Sequence, residues 1–177
     1  MEANGAALAS NEEAAAGTIV PRQDRGDNEM NELAATTPAR QWTVEGFRTF
    51  WAKPSVSFLP TIRQVVTDDI VGHWPRPIGD IADPGLYLGV IADILTICPD
   101  WTLAVPEEAR SGNLHFIRRI ATGTDENGRF EFVGCDRVKL DVNGRVCENF
   151  VFCDHPFFSR VDARRGAKIF RSIAAAG

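Results

Sequence analysis

Asp136 stands in the setting most suggestive of chemistry. It lies in the run 130–140, where strand alternation puts Phe130, Phe132, Val138 and Leu140 on its side and Glu131, Arg137 and Lys139 on the other. A carboxyl group facing such an apolar interior has its pKa raised, because its charged form is poorly solvated. Protonated, it can donate a hydrogen bond to a developing oxyanion. The alternative is a carboxylate capped by backbone or paired with an arginine. Arg118 and Arg119 are adjacent in another strand-like run, so one of them faces the interior. There it would bind a carboxylate, an enolate or Asp136 itself, and in that last case the acid stays ionised. His73 is the natural proton-transfer candidate, since imidazole titrates near neutrality. It would sit at the mouth of an interior beside Trp74, or else hydrogen-bond a loop carbonyl. Asn149 falls on the inward parity of the last strand with Cys147, Val151 and Cys153, where it would meet a ligand carbonyl or only a neighbour. Asp154, ending that strand, reads as a structural cap.

Bulk properties narrow the function classes. The chain has 177 residues, 44% hydrophobic and 24% charged, enough for one domain with a sizeable core. A net charge of −5 argues against nucleic acid as the main partner, which needs a basic face. No run of apolar residues is long enough to span a membrane. The start lacks a basic stretch followed by an apolar one, so no secretory signal is expected. Cys98, Cys135, Cys147 and Cys153 form no C-x-x-C pair and the histidines are scattered, so neither zinc nor another metal is expected. The cysteines read as reduced and structural, which points to the cytoplasm.

Several elements must position these residues. Segment 1–40 is rich in Ala, Glu, Asn, Gly and Thr, has no aromatic residue, and is predicted to be a disordered tail. At Trp42 the composition changes, and Phe47, Phe50 and Trp51 recur at helical spacing over 43–53. Pro54 ends that helix, and a second begins near Pro60. A short extended piece at Ile70 and Val71 follows, then a Pro-restricted loop at 73–77. Asp83-Pro84 is an N-cap with Pro at the first helical position, opening a helix to about Ile97. After Pro99 the period turns from helical to alternating. Four strands are predicted over 101–105, 114–122, 130–140 and 145–154, with hairpin signals at Asn127-Gly128 and Asn143-Gly144. Residues 161–177 read as a basic helix or tail with a solvated face. Helices followed by a meander give an α+β domain, with helices on one face of the sheet.

The order of these motifs resembles that of SnoaL-like polyketide cyclases, within the nuclear transport factor 2-like superfamily. Asp68-Asp69-Ile70-Val71-Gly72-His73-Trp74-Pro75, Pro99-Asp100, Thr122-Gly123-Thr124, Gly134-Cys135-Asp136, Asn143-Gly144-Arg145-Val146 and Cys153-Asp154 carry the likeness. It covers about 42–160. The resemblance implies a cone-shaped, curved antiparallel sheet with helices on its concave face, a fold also called cystatin-like. It implies a SnoaL-like domain over 41–160, a homodimer formed through the sheet, and no cofactor. Aligned with the family strand, Arg119 is the inward arginine, with His115 and Ile117. Asp136 matches the oxyanion-hole acid of ketosteroid isomerases. Their oxyanion tyrosine position falls near Phe50, which cannot donate, and their base falls on His73 or Trp74. The epoxide hydrolase pattern fails too, since its last-strand carboxylate falls near Val151.

These readings converge on a cavity for a small apolar ligand. His73, Asp136 and Arg119 are the expected catalytic residues. Phe50, Trp51, Trp74, Tyr87, His115, Phe132, Asn149 and Val151 are the expected ligand-binding residues. The expected activity is a cofactor-independent isomerase, cyclase or dehydratase acting on a small apolar carbonyl compound of polyketide or terpenoid type. The competing expectation is a non-catalytic module that binds a ligand or supports dimerisation.

Overall fold

The computed structural model describes residues 40–176. The predicted N-terminal tail, apart from Arg40, lies outside them. Helix α1 (Val44–Ala52) begins where the Thr43 hydroxyl accepts the Gly46 N–H at 3.0 Å, and it stops two residues before Pro54. Helix α2 (Leu59–Arg63) is short, carries Pro60 in its first turn, and buries Leu59. Helix α3 (Pro84–Ile97) is capped by Asp83, whose carboxylate accepts the Leu86 N–H at 2.7 Å. Every residue from Tyr87 to Leu95 is buried, so α3 is enclosed on all sides.

The strands are β1 (Val66–Trp74), β2 (Gly79–Ile81), β3 (Thr102–Ser111), β4 (Leu114–Asp125), β5 (Gly128–Leu140) and β6 (Val146–Phe152). They form one curved, unclosed sheet in the order β2-β1-β6-β5-β4-β3. This departs from the expected antiparallel meander in two ways. The short piece at Ile70 and Val71 is a nine-residue strand, β1, with its own partner β2. β6 returns along β1 in parallel, with Gly72 opposite Asn149 and His73 opposite Phe150. That pairing joins residues that lie 77–80 positions apart, which no local pattern encodes.

The core lies between the sheet's inner face and α3. Leu59, Ile70, Leu88, Ile94 and Ile117 are fully enclosed or nearly so. Each such side chain contributes roughly 1.5–3 kcal/mol through burial. Trp101, Phe157 and Phe158 close one end of this layer, with the Trp101 and Phe157 rings 4.7 Å apart.

Helix α4 (Ala163–Ala176) packs on α3 at very close range. A methyl group at Gly166 would fall 1.8 Å from the Gly89 carbonyl oxygen, so the two backbones touch there. Asp93, wholly enclosed on α3, accepts from Arg165 Nε at 2.6 Å and Nη2 at 2.7 Å, and from the Asp162 N–H at 2.7 Å. The basic residues at this end of the chain are thus not all on a solvated face. Among the described residues no helix is long and apolar enough to cross a membrane.

Arg165→Ala is expected to destabilise the protein by about 3–5 kcal/mol in urea unfolding, because it strands a buried carboxylate. This cost is out of proportion to a side chain that is 49% exposed. A loss within 0.5 kcal/mol, the range of ordinary surface substitutions, would refute the clasp.

Candidate functional site

Strand alternation builds the site. On β5 the inward set is Phe130, Phe132, Gly134, Asp136 and Val138, and on β6 it is Asn149 and Val151. Register then sets neighbours across the sheet. Asp136 lies opposite Ile117 and Val151, Arg119 opposite Gly134, and Asn149 opposite Gly72 and Val138. Arg119 is thus diagonal to Asp136, and its Nε donates to Asp136 Oδ1 at 3.0 Å. Arg119 is 2% exposed and Asp136 5%.

These residues border a cavity of about 230 Å³. Phe47, Phe50 and Trp51 of α1 form one wall; Tyr87, Ile91 and Ile94 of α3 form another, and Trp74, Val138, Asn149 and Val151 belong to the sheet side. The expected ligand-binding residues Phe50, Trp51, Trp74, Tyr87, Asn149 and Val151 therefore come together with Asp136 and Arg119. Asn149 Nδ2 donates to the Tyr87 hydroxyl at 3.2 Å. Gly72 makes room for Tyr87 and Trp74, since a methyl there would meet the Tyr87 ring at 2.6 Å and Trp74 Nε1 at 2.7 Å.

The two buried carboxylates differ. Asp93 has both oxygens occupied. Asp136 receives hydrogen bonds from the described residues at Oδ1 alone. Burial pushes the Asp136 carboxyl above its ordinary value, while the charge and hydrogen bond of Arg119 pull it back. Burial also works against the charge on Arg119, but Asp136 more than offsets it and keeps the guanidinium firmly charged. A fixed cation at hydrogen-bond distance does not suit a protonated Asp136 that donates to an oxyanion. The pair is better described as a carboxylate with one open oxygen and heightened proton affinity. Burial likewise raises the Tyr87 hydroxyl pKa, with Asn149 opposing and Asp136 reinforcing, so Tyr87 stays protonated. Arg119 Nη1, Asn149 Oδ1 and Trp74 Nε1 are buried with no hydrogen-bond partner among the described residues. Orphans of this kind are rare in folded proteins, and three of them belong to one cavity wall.

Three expected residues lie elsewhere. His73 is on the outer face of the sheet, since Gly72 and Trp74 face inward and neighbours on a strand alternate. Its ring stacks on Phe150 at 3.6 Å, with Nδ1 2.8 Å from Asp80 and Nε2 3.4 Å from Glu148. His115 shares the inward parity of Arg119, but Trp42 packs against its ring at 5.0 Å and lines the cavity in its place. Burial and the charge of Arg110 lower the His115 pKa, with Glu108 opposing. Phe132 is inward too, but it joins the aromatic cluster at the closed end, stacked on His155 at 4.2 Å and 5.7 Å from Trp101. Trp42, Phe47, Trp101 and Val138 line the cavity although they were not among the expected site residues. Helical spacing places Phe47 among aromatic residues that fit either a pocket wall or plain core, with Trp42 just ahead of them.

No protein-family model matches the sequence, and neither does any curated protein. Solved structures do match. IdmH, a candidate polyketide cyclase from Streptomyces antibioticus, is 24% identical with a TM-score of 0.54; the match covers 63% of this chain and 88% of that one. A candidate SnoaL-like polyketide cyclase from Jannaschia is 13% identical with a TM-score of 0.55, covering 63% of this chain and 84% of that one. A hypothetical protein with a ketosteroid isomerase-like fold from Catenulispora acidiphila, in complex with trimethylamine, is 12% identical with a TM-score of 0.54, covering 68% of this chain and 94% of that one. The chain therefore has the nuclear transport factor 2-like, or cystatin-like, fold.

Proposed function

We propose that the cavity binds a small, largely apolar carbonyl compound and that Asp136 moves a proton on it. The carrying observation is a buried carboxylate with one occupied oxygen, set against a fixed cation and bordering an aromatic-walled cavity. Asp136 takes a proton from the carbon beside the carbonyl. The C–H electron pair moves into the C–O unit, forming an enolate that the Arg119 charge stabilises. The proton then returns to the same or a conjugated carbon. Among the described residues lining the cavity, Asp136 is the only carboxylate and no histidine is present. One group therefore both accepts and returns the proton, which favours isomerisation, or cyclisation through the enolate, over a reaction needing a separate strong acid. The size suits a ligand of one or two rings, since drug-sized pockets run from about 300 Å³ upward. The trimethylamine complex in a protein of the same fold supports small-ligand binding.

A second reading is a binding module without catalysis. It draws support from the same ion pair, because Arg119 already engages the one acid in the cavity. Pairing of two copies through the outer sheet face is also proposed, because Phe116, Val133 and Phe152 are exposed there at 38–54%. Sedimentation of the full chain tests that point: a dimer supports it, and a monomer at micromolar concentration rejects it.

Proton exchange at the carbon beside the carbonyl of 2-tetralone, followed by NMR in deuterated water, separates catalysis from binding. The wild-type protein should accelerate exchange over buffer, and Asp136→Asn should lower that acceleration by roughly 10²–10⁴-fold. His73→Ala should leave it unchanged. The active form is the carboxylate, so exchange should fall as the pH drops through the Asp136 pKa, which burial sets above the ordinary carboxylate value. Ligand-induced thermal stabilisation without exchange would leave only the binding module.

A further inference from the structure

Gly134 lies directly across the β4–β5 ladder from Arg119, on the inner face and two residues before Asp136. Glycine weakens a strand interior, and there it often marks a place where another group approaches the backbone closely. Among the described residues the left-handed glycines are Gly79, Gly112, Gly128 and Gly144, so backbone conformation does not call for glycine at 134. The Arg119 side chain does. A methyl group built on Gly134 would stand 2.9 Å from Arg119 Cζ, 2.9 Å from Nη1 and 3.0 Å from Nη2. Three guanidinium atoms at nearly equal distance mean that the planar group lies face-down on the bare strand. From that seat Nε reaches Asp136 Oδ1 at 3.0 Å. The Phe132 ring, its centroid 6.0 Å from Cζ, flanks the same guanidinium.

We propose that Gly134 is a positioning residue: it keeps the inner strand face clear so that the Arg119 guanidinium lies beside Asp136 and holds its carboxylate charged inside the cavity. The titratable groups around Asp136 are few. Arg119 approaches from β4, Tyr87 from α3, Cys153 from just beyond β6, and Cys135 is its chain neighbour. Burial raises the tyrosine and both thiols, so Arg119 alone among them carries charge at neutral pH. Its placement is therefore what opposes burial in setting the charge on Asp136. This holds whether the cavity catalyses or only binds.

The clash in Gly134→Ala falls on the far end of a flexible side chain, so the fold should survive while the guanidinium swings away. The test is a carbon-13 NMR titration of the Asp136 carboxyl, which needs neither ligand nor activity. Gly134→Ala should move its midpoint upward by roughly 1–3 pH units, the range an adjacent opposite charge controls. Arg119→Met should shift it in the same direction. The double variant should shift no further than Arg119→Met alone, because the two changes act through one group. A wild-type titration in Gly134→Ala, alongside a shifted one in Arg119→Met, would overturn the proposal, as would no shift in either. Should Gly134→Ala not fold, the double variant decides. Methionine clears the added methyl, so folding of the double variant supports the seat, and its failure assigns Gly134 to backbone packing and overturns it.

Discussion

A carboxylate pressed against a guanidinium, both nearly hidden from bulk solvent, is the constraint to which the rest of this cavity answers. Taking both charges out of water is expensive, and the attraction between them offsets that cost only when geometry is good. Geometry here comes from the ladder. β4 and β5 pair in continuous register, so Arg119 and Asp136 are held diagonal to each other on one face. Ile117 and Val151 flank Asp136 in its own row and exclude solvent from both sides. A one-residue slip of β5 would turn Asp136 outward with Arg137 and Lys139, and Arg119 would be stranded.

Elsewhere the fold treats a buried carboxylate differently, and the contrast is informative. Asp93 is also enclosed, but a bidentate arginine and a backbone N–H occupy both of its oxygens. Its work is to hold α4 onto α3, where Gly89 and Gly166 let the backbones meet. Stability alone would favour the same saturation at Asp136. Leaving one oxygen open beside a void is a choice that a purely structural carboxylate does not require. The aromatic residues of α1 have a similar double character. Phe47, Phe50 and Trp51 pack on one another at 4.8–6.1 Å and still border the cavity.

What was legible in the sequence follows the reach of each signal. Asp136 was readable as inward because phenylalanine, valine and leucine alternate around it through a long strand. The same parity rule, carried one step further, separates His73 from Trp74, because both cannot face the cavity. The attraction of a neutral-pH base beside an aromatic wall obscured that step. Gly72, which gives room to Tyr87, carried the missing cue. Strand β1 looked short because Asp68 and Asp69, both exposed, interrupt its apolar pattern. The parallel pairing of β1 with β6 left no local trace at all. In the C-terminal helix, basic residues dominate the pattern and hide the small inward face of Gly166, Ala167 and Phe170. Trp42 was visible as a change in composition, but its packing against His115 depends on the strand beneath it.

Fold likeness at these identities carries architecture and stops there, since one scaffold hosts many activities. The discrimination must come from the side chains inside the cone. An aromatic lining alone would suit any greasy ligand. A saturated ion pair alone would be a staple. The combination of an apolar wall, a fixed cation and a carboxylate with an open oxygen is asymmetric: it offers one place to take a proton and an adjacent place to hold the charge left behind. Water would weaken both effects by screening them, and the enclosure of Arg119 and Asp136 limits that screening. The buried Nη1 of Arg119, the Asn149 carbonyl and the Trp74 indole N–H add unpaired polar atoms to the same wall. A ligand carbonyl would accept from Arg119 Nη1 and Trp74 Nε1 and a ligand hydroxyl would donate to Asn149 Oδ1, whereas a hydrocarbon would leave every one of them orphaned.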